Sequence, residues 1–228
     1  TRGQLGQMSV IGQSVFPLKV QNQTSGAFFS NTVIGVTAGY DSTCAITNDE
    51  FNDAGQPGLY CWGLNDAGQR GDGTVCDDGR GDSSLFDSCM DNGNFGNHVP
   101  TMVYLSDVPG VVRVSTALDH TCATLTDGSL QCWGANDVGQ LGDGSFSDRH
   151  YPASIAPLVS GSNNDYNVTM GRSTMVASGE GYTCADFSIE GSDLGPAQGG
   201  LGTQLWCWGS NTFGNLGDNS SLTNGTNS

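Results

Sequence analysis

The residues in this chain best placed to form bonds are its cysteines. Eight of them fall into four local pairs: Cys44 with Cys61, Cys76 with Cys89, Cys122 with Cys132, and Cys184 with Cys207. An even count at short separations points to disulfides and an oxidising compartment. Zinc is the competing chemistry. No C-x-x-C occurs, and His98, His120 and His150 share no ligand spacing with the cysteines, so disulfides are favoured and no metal centre is expected.

Four N-x-[ST] sequons, at Asn22, Asn167, Asn219 and Asn224, lie in polar, turn-rich sequence and are candidate acceptors of N-glycans. Arg80-Gly81-Asp82 resembles the integrin-binding tripeptide and lies inside the loop that Cys76 and Cys89 would close. Arg70-Gly71-Asp72 has the same letters, but its Gly71 and Asp72 belong to a repeat described below. Asp77, Asp78, Asp82, Asp87 and Asp91 are dense enough to offer oxygens to calcium. They lack the EF-hand order, and a solvated acidic loop is the plainer reading. Catalytic signatures are missing: there is no H-E-x-x-H, no G-x-S-x-G and no phosphate loop. Residues 195–202 are glycine-rich without a basic residue nearby, and Asp119 beside His120 occurs in one unit only. No catalytic residue and no cofactor are expected, and His120 is assigned to a hydrogen-bonding network.

The elements that must position these groups are short. The chain has 228 residues, 35 of them glycine, with 23 acids against 7 bases and a formal net charge of −16. Almost all the acids are Asp, and Asp and Gly favour turns where Glu, Lys and Leu favour helices, so a helical bundle is excluded. The acidic balance argues against nucleic-acid partners and anionic membranes. No apolar run approaches the ~20 residues of a spanning helix, and no membrane insertion is expected.

Self-similarity organises the chain. Cys61-Trp62-Gly63-Leu64-Asn65-Asp66-Ala67-Gly68-Gln69-Arg70-Gly71-Asp72 matches Cys132-Trp133-Gly134-Ala135-Asn136-Asp137-Val138-Gly139-Gln140-Leu141-Gly142-Asp143 and Cys207-Trp208-Gly209-Ser210-Asn211-Thr212-Phe213-Gly214-Asn215-Leu216-Gly217-Asp218. Thr-Cys-Ala precedes each copy, at residues 43–45, 121–123 and 183–185. A Pro-x-x-Val or Pro-x-x-Ile run recurs at residues 17–20, 100–103 and 152–155, and Gly3-Gln4-Leu5-Gly6 is a remnant of the turn. The domain reading is therefore a closing segment of a preceding unit at 1–20, units at 33–103 and 111–155, and a unit at 174–228 that lacks its closing run. Residues 47–58, 74–98 and 186–204 read as inserted surface loops.

In the middle unit, Thr126-Asp127-Gly128 between two apolar runs predicts a hairpin with a three-residue loop and a left-handed Gly128. That register sets Cys122 directly opposite Cys132, close enough for a bridge after slight closure. The other two pairs recur on the same strands behind longer loops.

The string His120-Thr121-Cys122-Ala123 through Gln131-Cys132-Trp133-Gly134-Ala135-Asn136-Asp137 to Gly144 resembles the repeat of the regulator-of-chromosome-condensation family. Those repeats build the blades of a β-propeller, usually seven-bladed. The resemblance implies an all-β fold, an incomplete propeller of about three such blades, and its paired cysteines resemble extracellular members of the superfamily. His120 matches the family's usual histidine before the cysteine position, whereas Ser42 and Tyr182 stand there in the other units. Trp62, Trp133 and Trp208 read as repeating core residues rather than chromophores, because no Trp–Arg cluster accompanies the four tryptophans. Three blades leave open edges. The chain is then a portion of a larger propeller, or its ends complement each other, or copies join head to tail into a ring or fibre. The expected function is a non-catalytic extracellular module, a glycosylated subunit or fragment of a surface appendage, filament or matrix assembly. Its partner would be another protein or a second copy. The alternative is a secreted propeller that binds or inhibits a partner protein.

Overall fold

The computed structural model describes residues 4–6, 13–20, 32–48, 57–75, 90–91, 94–95, 97–103, 105, 110–155, 169–190 and 203–218. Among them there is no helix. The strands are β1 (Val33–Ala38), β2 (Ser42–Thr47), β3 (Gly58–Gly63), β4 (Met90–Asp91), β5 (Asn94–Phe95), β6 (Asn97–Met102), β7 (Val111–Thr116), β8 (His120–Leu125), β9 (Leu130–Gly134), β10 (Arg149–Ser154), β11 (Thr169–Met170), β12 (Val176–Gly179), β13 (Tyr182–Glu190) and β14 (Thr203–Gly209). They form antiparallel sheets ordered β1-β2-β3-β6, then β7-β8-β9-β10, then β12-β13-β14, with β11 and β12 on one edge of β13, and β4 pairing β5 alone.

The central hairpin forms as its sequence predicts. Leu125 and Ser129 close the loop, with the Leu125 amide on the Ser129 carbonyl at 2.9 Å. Gly128 takes φ +86°. Asp127 steadies the turn by accepting from the Ser129 amide at 2.8 Å and its hydroxyl at 2.7 Å. The cysteines face each other in each of the three larger sheets, Cys44 with Cys61, Cys122 with Cys132 and Cys184 with Cys207. Each pair is joined as a disulfide with its Cα atoms 4.1 Å apart. The pairing of Cys76 with Cys89 lies outside the described residues.

Two inserted segments need correction. Residues 186–204 are not loop throughout. β13 runs on to Glu190 and pairs Asp186, Phe187 and Ser188 with Leu205, Gln204 and Thr203 of β14. The apolar alternation of Ala185 and Phe187, both buried, carries the strand past the point where glycine enrichment begins. In 74–98, β4, β5 and the start of β6 are likewise strand.

Why β8 is buried along its whole length follows from the period of a strand. Ala123 and Leu125 point to one side and join Cys44, Ile46, Leu59, Cys61, Val103, Val111 and Trp133 in a core between the first and second sheets. Cys122 points to the other side and joins Leu130, Cys132, Leu141, Ala185 and Phe187 between the second and third. The disulfide side of each sheet thus packs on the tryptophan side of the next. Tryptophan indoles fill the junctions, as expected of repeating core residues.

The β12 strand is entered through a carboxylate. Asp186, 5% exposed, accepts from the Thr174 amide at 2.8 Å, the Thr174 hydroxyl at 2.6 Å and the Met175 amide at 2.6 Å. Burial pushes its pKa up, but these donors outweigh burial, and the net direction is down. Asp143 is lowered in the same way: burial opposes, and Ser145, Arg149 and Asn136 prevail. Folded chains hold these protons less tightly than unfolded ones. Their stabilising contribution is therefore full above the ordinary aspartate range, about pH 4, and is lost as pH falls through the lowered folded value. Urea midpoints measured at falling pH should drop below about pH 4, and Asp186→Asn should flatten that part of the profile.

Candidate interaction site

Each repeated turn after the C-W-G triplet is tied internally by its own side chains. The Asn136 side-chain oxygen accepts the Leu141 amide at 3.0 Å, while its Nδ2 donates to Asp143 at 3.0 Å and to the Ser145 carbonyl at 3.0 Å. Gln140 curls back, accepting the Val138 amide and donating to Asp137. Asn65 and Gln69 repeat this in the first unit, where the Arg70 amide donates to the Asn65 side-chain oxygen at 2.9 Å and Gln69 donates to Asp66 at 2.8 Å. Asn65 and Asn136 are fully buried. With its side chain occupied, the glutamine presents its main-chain carbonyl outward.

That carbonyl locks the next sheet. Gln69 O accepts the Thr121 hydroxyl at 2.9 Å and the Trp133 indole N–H at 2.9 Å. Gln140 O accepts Thr183 at 2.9 Å and Trp208 at 3.0 Å. The N-terminal remnant does the same to the first sheet, Gln4 O accepting Thr43 at 3.1 Å and Trp62 at 3.0 Å. The donors are cross-strand partners, Thr43 opposite Trp62, Thr121 opposite Trp133 and Thr183 opposite Trp208, each one step from the cystine. The turn's last glycine lets the indole in: a Cβ on Gly71 or Gly142 would lie 2.5 or 2.6 Å from the Trp133 or Trp208 Nε1. The recurrence of Thr and Trp beside facing cysteines was visible in the sequence. Their common acceptor was not, because it lies on the preceding unit.

His120 belongs to the same junction. It is fully buried, and its Nε2 lies 2.8 Å from the Thr183 hydroxyl. Thr183 gives its proton to Gln140 O, so Nε2–H of His120 donates. The network therefore reaches the following sheet, beyond the blade that contains the histidine. Asp119 Oδ1 lies 3.7 Å from His120 Nδ1.

Arg70 stands where Leu141 stands in the second unit and is 2% exposed. Its Nη2 donates to Asp72 at 2.8 Å and to Thr74 at 2.7 Å. Burial lowers its pKa against the opposing pull of Asp72. Arg70-Gly71-Asp72 is thus a packed turn rather than a displayed tripeptide. Arg80-Gly81-Asp82, the sequons at Asn22, Asn167, Asn219 and Asn224, and Cys76 and Cys89 lie outside the described residues, as do Asp77, Asp78, Asp82 and Asp87. Among the described residues no group of three His, Cys, Asp or Glu side chains could hold a metal ion. No helix among them is long and apolar enough to cross a membrane.

Among the described residues two surfaces are open. The turns between the first two strands of each sheet converge on a cleft of about 550 Å³ lined by Gly39, Tyr40, Ala117, Leu118, Gly179 and Glu180. Tyr40 is 75% exposed there. The second surface is the far side of the third sheet. Its turn is formed, with the Leu216 amide on Asn211 at 3.1 Å. No described residue lies within 4 Å of a Cβ built on Gly214 or Gly217, and Phe213 is 91% exposed. Val138, its counterpart, packs 3.3 Å from a Cβ built on Gly181 of the next sheet.

Comparison with known proteins agrees with this geometry. Models of the regulator of chromosome condensation (RCC1) repeat match residues 127–185 and 111–140. The ultraviolet-B receptor UVR8 of Arabidopsis thaliana is 30% identical over 156 residues, 68% of this chain and 28% of that protein. Among solved structures, human WBSCR16 aligns with a TM-score of 0.54 at 19% identity, covering 90% of this chain and 45% of its own. Prp20p of Saccharomyces cerevisiae, studied for its binding to Gsp1p and histones, aligns at 0.55 and 16% identity, covering 84% and 39%. The chain spans less than half the length of each. Residues 111–185 thus carry the RCC1 repeat, and with its stapled hairpins and carbonyl-locked tryptophans the chain has an RCC1-like, β-propeller-type fold in a cysteine-paired form.

Proposed function

We propose that the chain is a non-catalytic protein-interaction module of the cell exterior, glycosylated at its sequons, that serves as a subunit or segment of a surface or matrix assembly. The observation that carries this reading is the serial junction. Each of the three cysteine-bearing sheets is stapled by a disulfide and docked on its neighbour by a doubly accepting carbonyl and a packed apolar core, a rigid serial form that suits a structural or docking unit. The three bridges suit an oxidising compartment. Buried Asn65, Gln69, Asn136, Gln140, Thr121 and Thr183 are spent on turns and junctions, and no nucleophile–base pair is assembled among the residues that line the cleft. A second reading, a secreted binder or inhibitor of another protein, is favoured by that cleft, since adjacent turns present Tyr40, Leu118 and Glu180 on one rim. Peptide mapping of natively produced protein without reduction tests the first reading. Cystine at all four cysteine pairs and glycan mass at Asn22, Asn167, Asn219 or Asn224 are expected. Free thiols with unmodified asparagines would overturn the extracellular assignment.

A further inference from the structure

In the three larger sheets a tight turn joins β1 to β2, β7 to β8 and β12 to β13, and one position of that turn changes its chemistry from unit to unit. The turns are fixed by corresponding bonds. The Gly39 amide donates to the Ser42 carbonyl at 2.9 Å, the Ala117 amide to the His120 carbonyl at 2.9 Å, and Gly179 pairs with Tyr182. The carbonyls of Asp41, Asp119 and Gly181 accept the amides of Leu64, Ala135 and Ser210 at 2.9, 2.9 and 2.8 Å. This correspondence puts Tyr40, Leu118 and Glu180 at one equivalent position. They are an aromatic ring, an aliphatic chain and a carboxylate, and all three line the same cleft.

The cleft is held in shape before anything enters it. A Cβ on Gly39 would collide with the Ala117 carbonyl, so the first turn lies directly against the second. Behind the turns the Thr37 and Thr116 hydroxyls meet at 3.3 Å. The Ser178 amide donates to Ser115 Oγ at 2.9 Å and its hydroxyl to the Ser115 carbonyl at 3.3 Å. The strands that carry the turns are thus tied to one another, and little ordering is left for binding to impose. The rim is unbalanced in charge. Among the described residues no Lys, Arg or His lines it. Asp41 accepts from Gln4, and Asp119 lies beside His120. Among the described residues nothing pairs with the Glu180 carboxylate or the Tyr40 hydroxyl, and both side chains are exposed.

We infer that this cleft receives an arginine side chain of a partner protein, presented between apolar residues. The inference rests on the second reading above, a secreted binder, and names the chemistry of its partner. Tyr40 offers the face of a ring to the guanidinium, Glu180 a carboxylate for its N–H donors, and Leu118 an apolar wall for its stem. Arginine suits the cleft better than lysine, because its flat, weakly hydrated head stacks on an aromatic face. An acidic or neutral occupant would cover Glu180 without pairing it. The net charge of −16 draws a cation in before contact and turns an acidic partner away.

Amide chemical shifts of the oxidised full chain, titrated with an end-blocked tripeptide of arginine between two leucines, test this. Saturable shifts at Tyr40, Leu118 and Glu180 are expected, with affinity falling as salt is raised. The same peptide with citrulline keeps the shape and loses the charge, and it should bind about tenfold or more weakly. Glu180→Gln and Tyr40→Ala should each weaken binding by about fivefold or more. Tyr40→Phe keeps the ring and should stay within about twofold of the unaltered chain. All three variants should keep the circular dichroism spectrum, because both side chains are exposed. Equal affinity for the citrulline peptide at the cleft overturns the proposal and leaves the cleft a docking surface. Arginine binding indifferent to Glu180→Gln and Tyr40→Ala also overturns it. No shift at the cleft with either peptide overturns the proposal and takes with it the support that the cleft lends to the binder reading.

Discussion

Trp133→Ala is expected to destabilise the chain by about 3–5 kcal/mol, enough to leave much of it unfolded near physiological temperature. The indole is fully buried in the core between the first two sheets. It also supplies one of the two donors on Gln69 O. Truncation opens a cavity against Cys44, Ile46 and Leu59 on one side and Leu125 on the other, and both sheets lose a wall. Trp133→Phe keeps most of the volume and removes only the N–H. It should cost about 1 kcal/mol, because Thr121 continues to donate to the same carbonyl. Urea unfolding of the two variants separates the packing contribution from that of the hydrogen bond. A loss for Trp133→Ala no larger than that for Trp133→Phe would mean that the junction core does not hold the sheets together.

The second large effect is an order of reduction. Cys44, Cys61, Cys122 and Cys132 are fully buried because a following sheet covers each bridge, whereas Cys184 and Cys207 are half-buried on the uncovered side of the third sheet. Brief treatment with a mild reductant, followed by alkylation and peptide mapping, should therefore label Cys184 and Cys207 before the other two described pairs. Removing any bridge should cost about 2–4 kcal/mol. The bridges span 17, 10 and 23 residues, and chain entropy alone makes the last worth about 0.7 kcal/mol more than the shortest. Among the three described bridges, the first to open is thus the one with the longest loop. Equal labelling of all three pairs would contradict the sheet-on-sheet cover.

What the sequence made legible was local. Thr126-Asp127-Gly128 determined a register, and that register set Cys122 against Cys132 without knowledge of any other unit. Repetition carried the same pairing to hairpins whose loops are longer. Contacts between units were not legible, because the partners stand 39 to 68 residues apart and one of them is a main-chain atom whose direction depends on a folded turn. Arg70 shows the limit well. By residue type it belongs on the surface, and only the proximity of Asp72 and Thr74 allows it to be buried in a leucine's place. Residues 186–190 show the opposite failure. Their glycine-rich neighbourhood suggested loop, while the buried Asp186 is held by three donors that come from twelve or so residues upstream.

A carbonyl oxygen that accepts two hydrogen bonds at once has a weakened, lower-frequency stretch, and each junction contains one such oxygen on a single known residue. Isotopic labelling of the Gln140 carbonyl carbon would move its infrared band away from the rest of the amide envelope. The opening of one seam, under tension or with rising temperature, could then be followed as a vibrational shift at one bond while the neighbouring wedges stay closed.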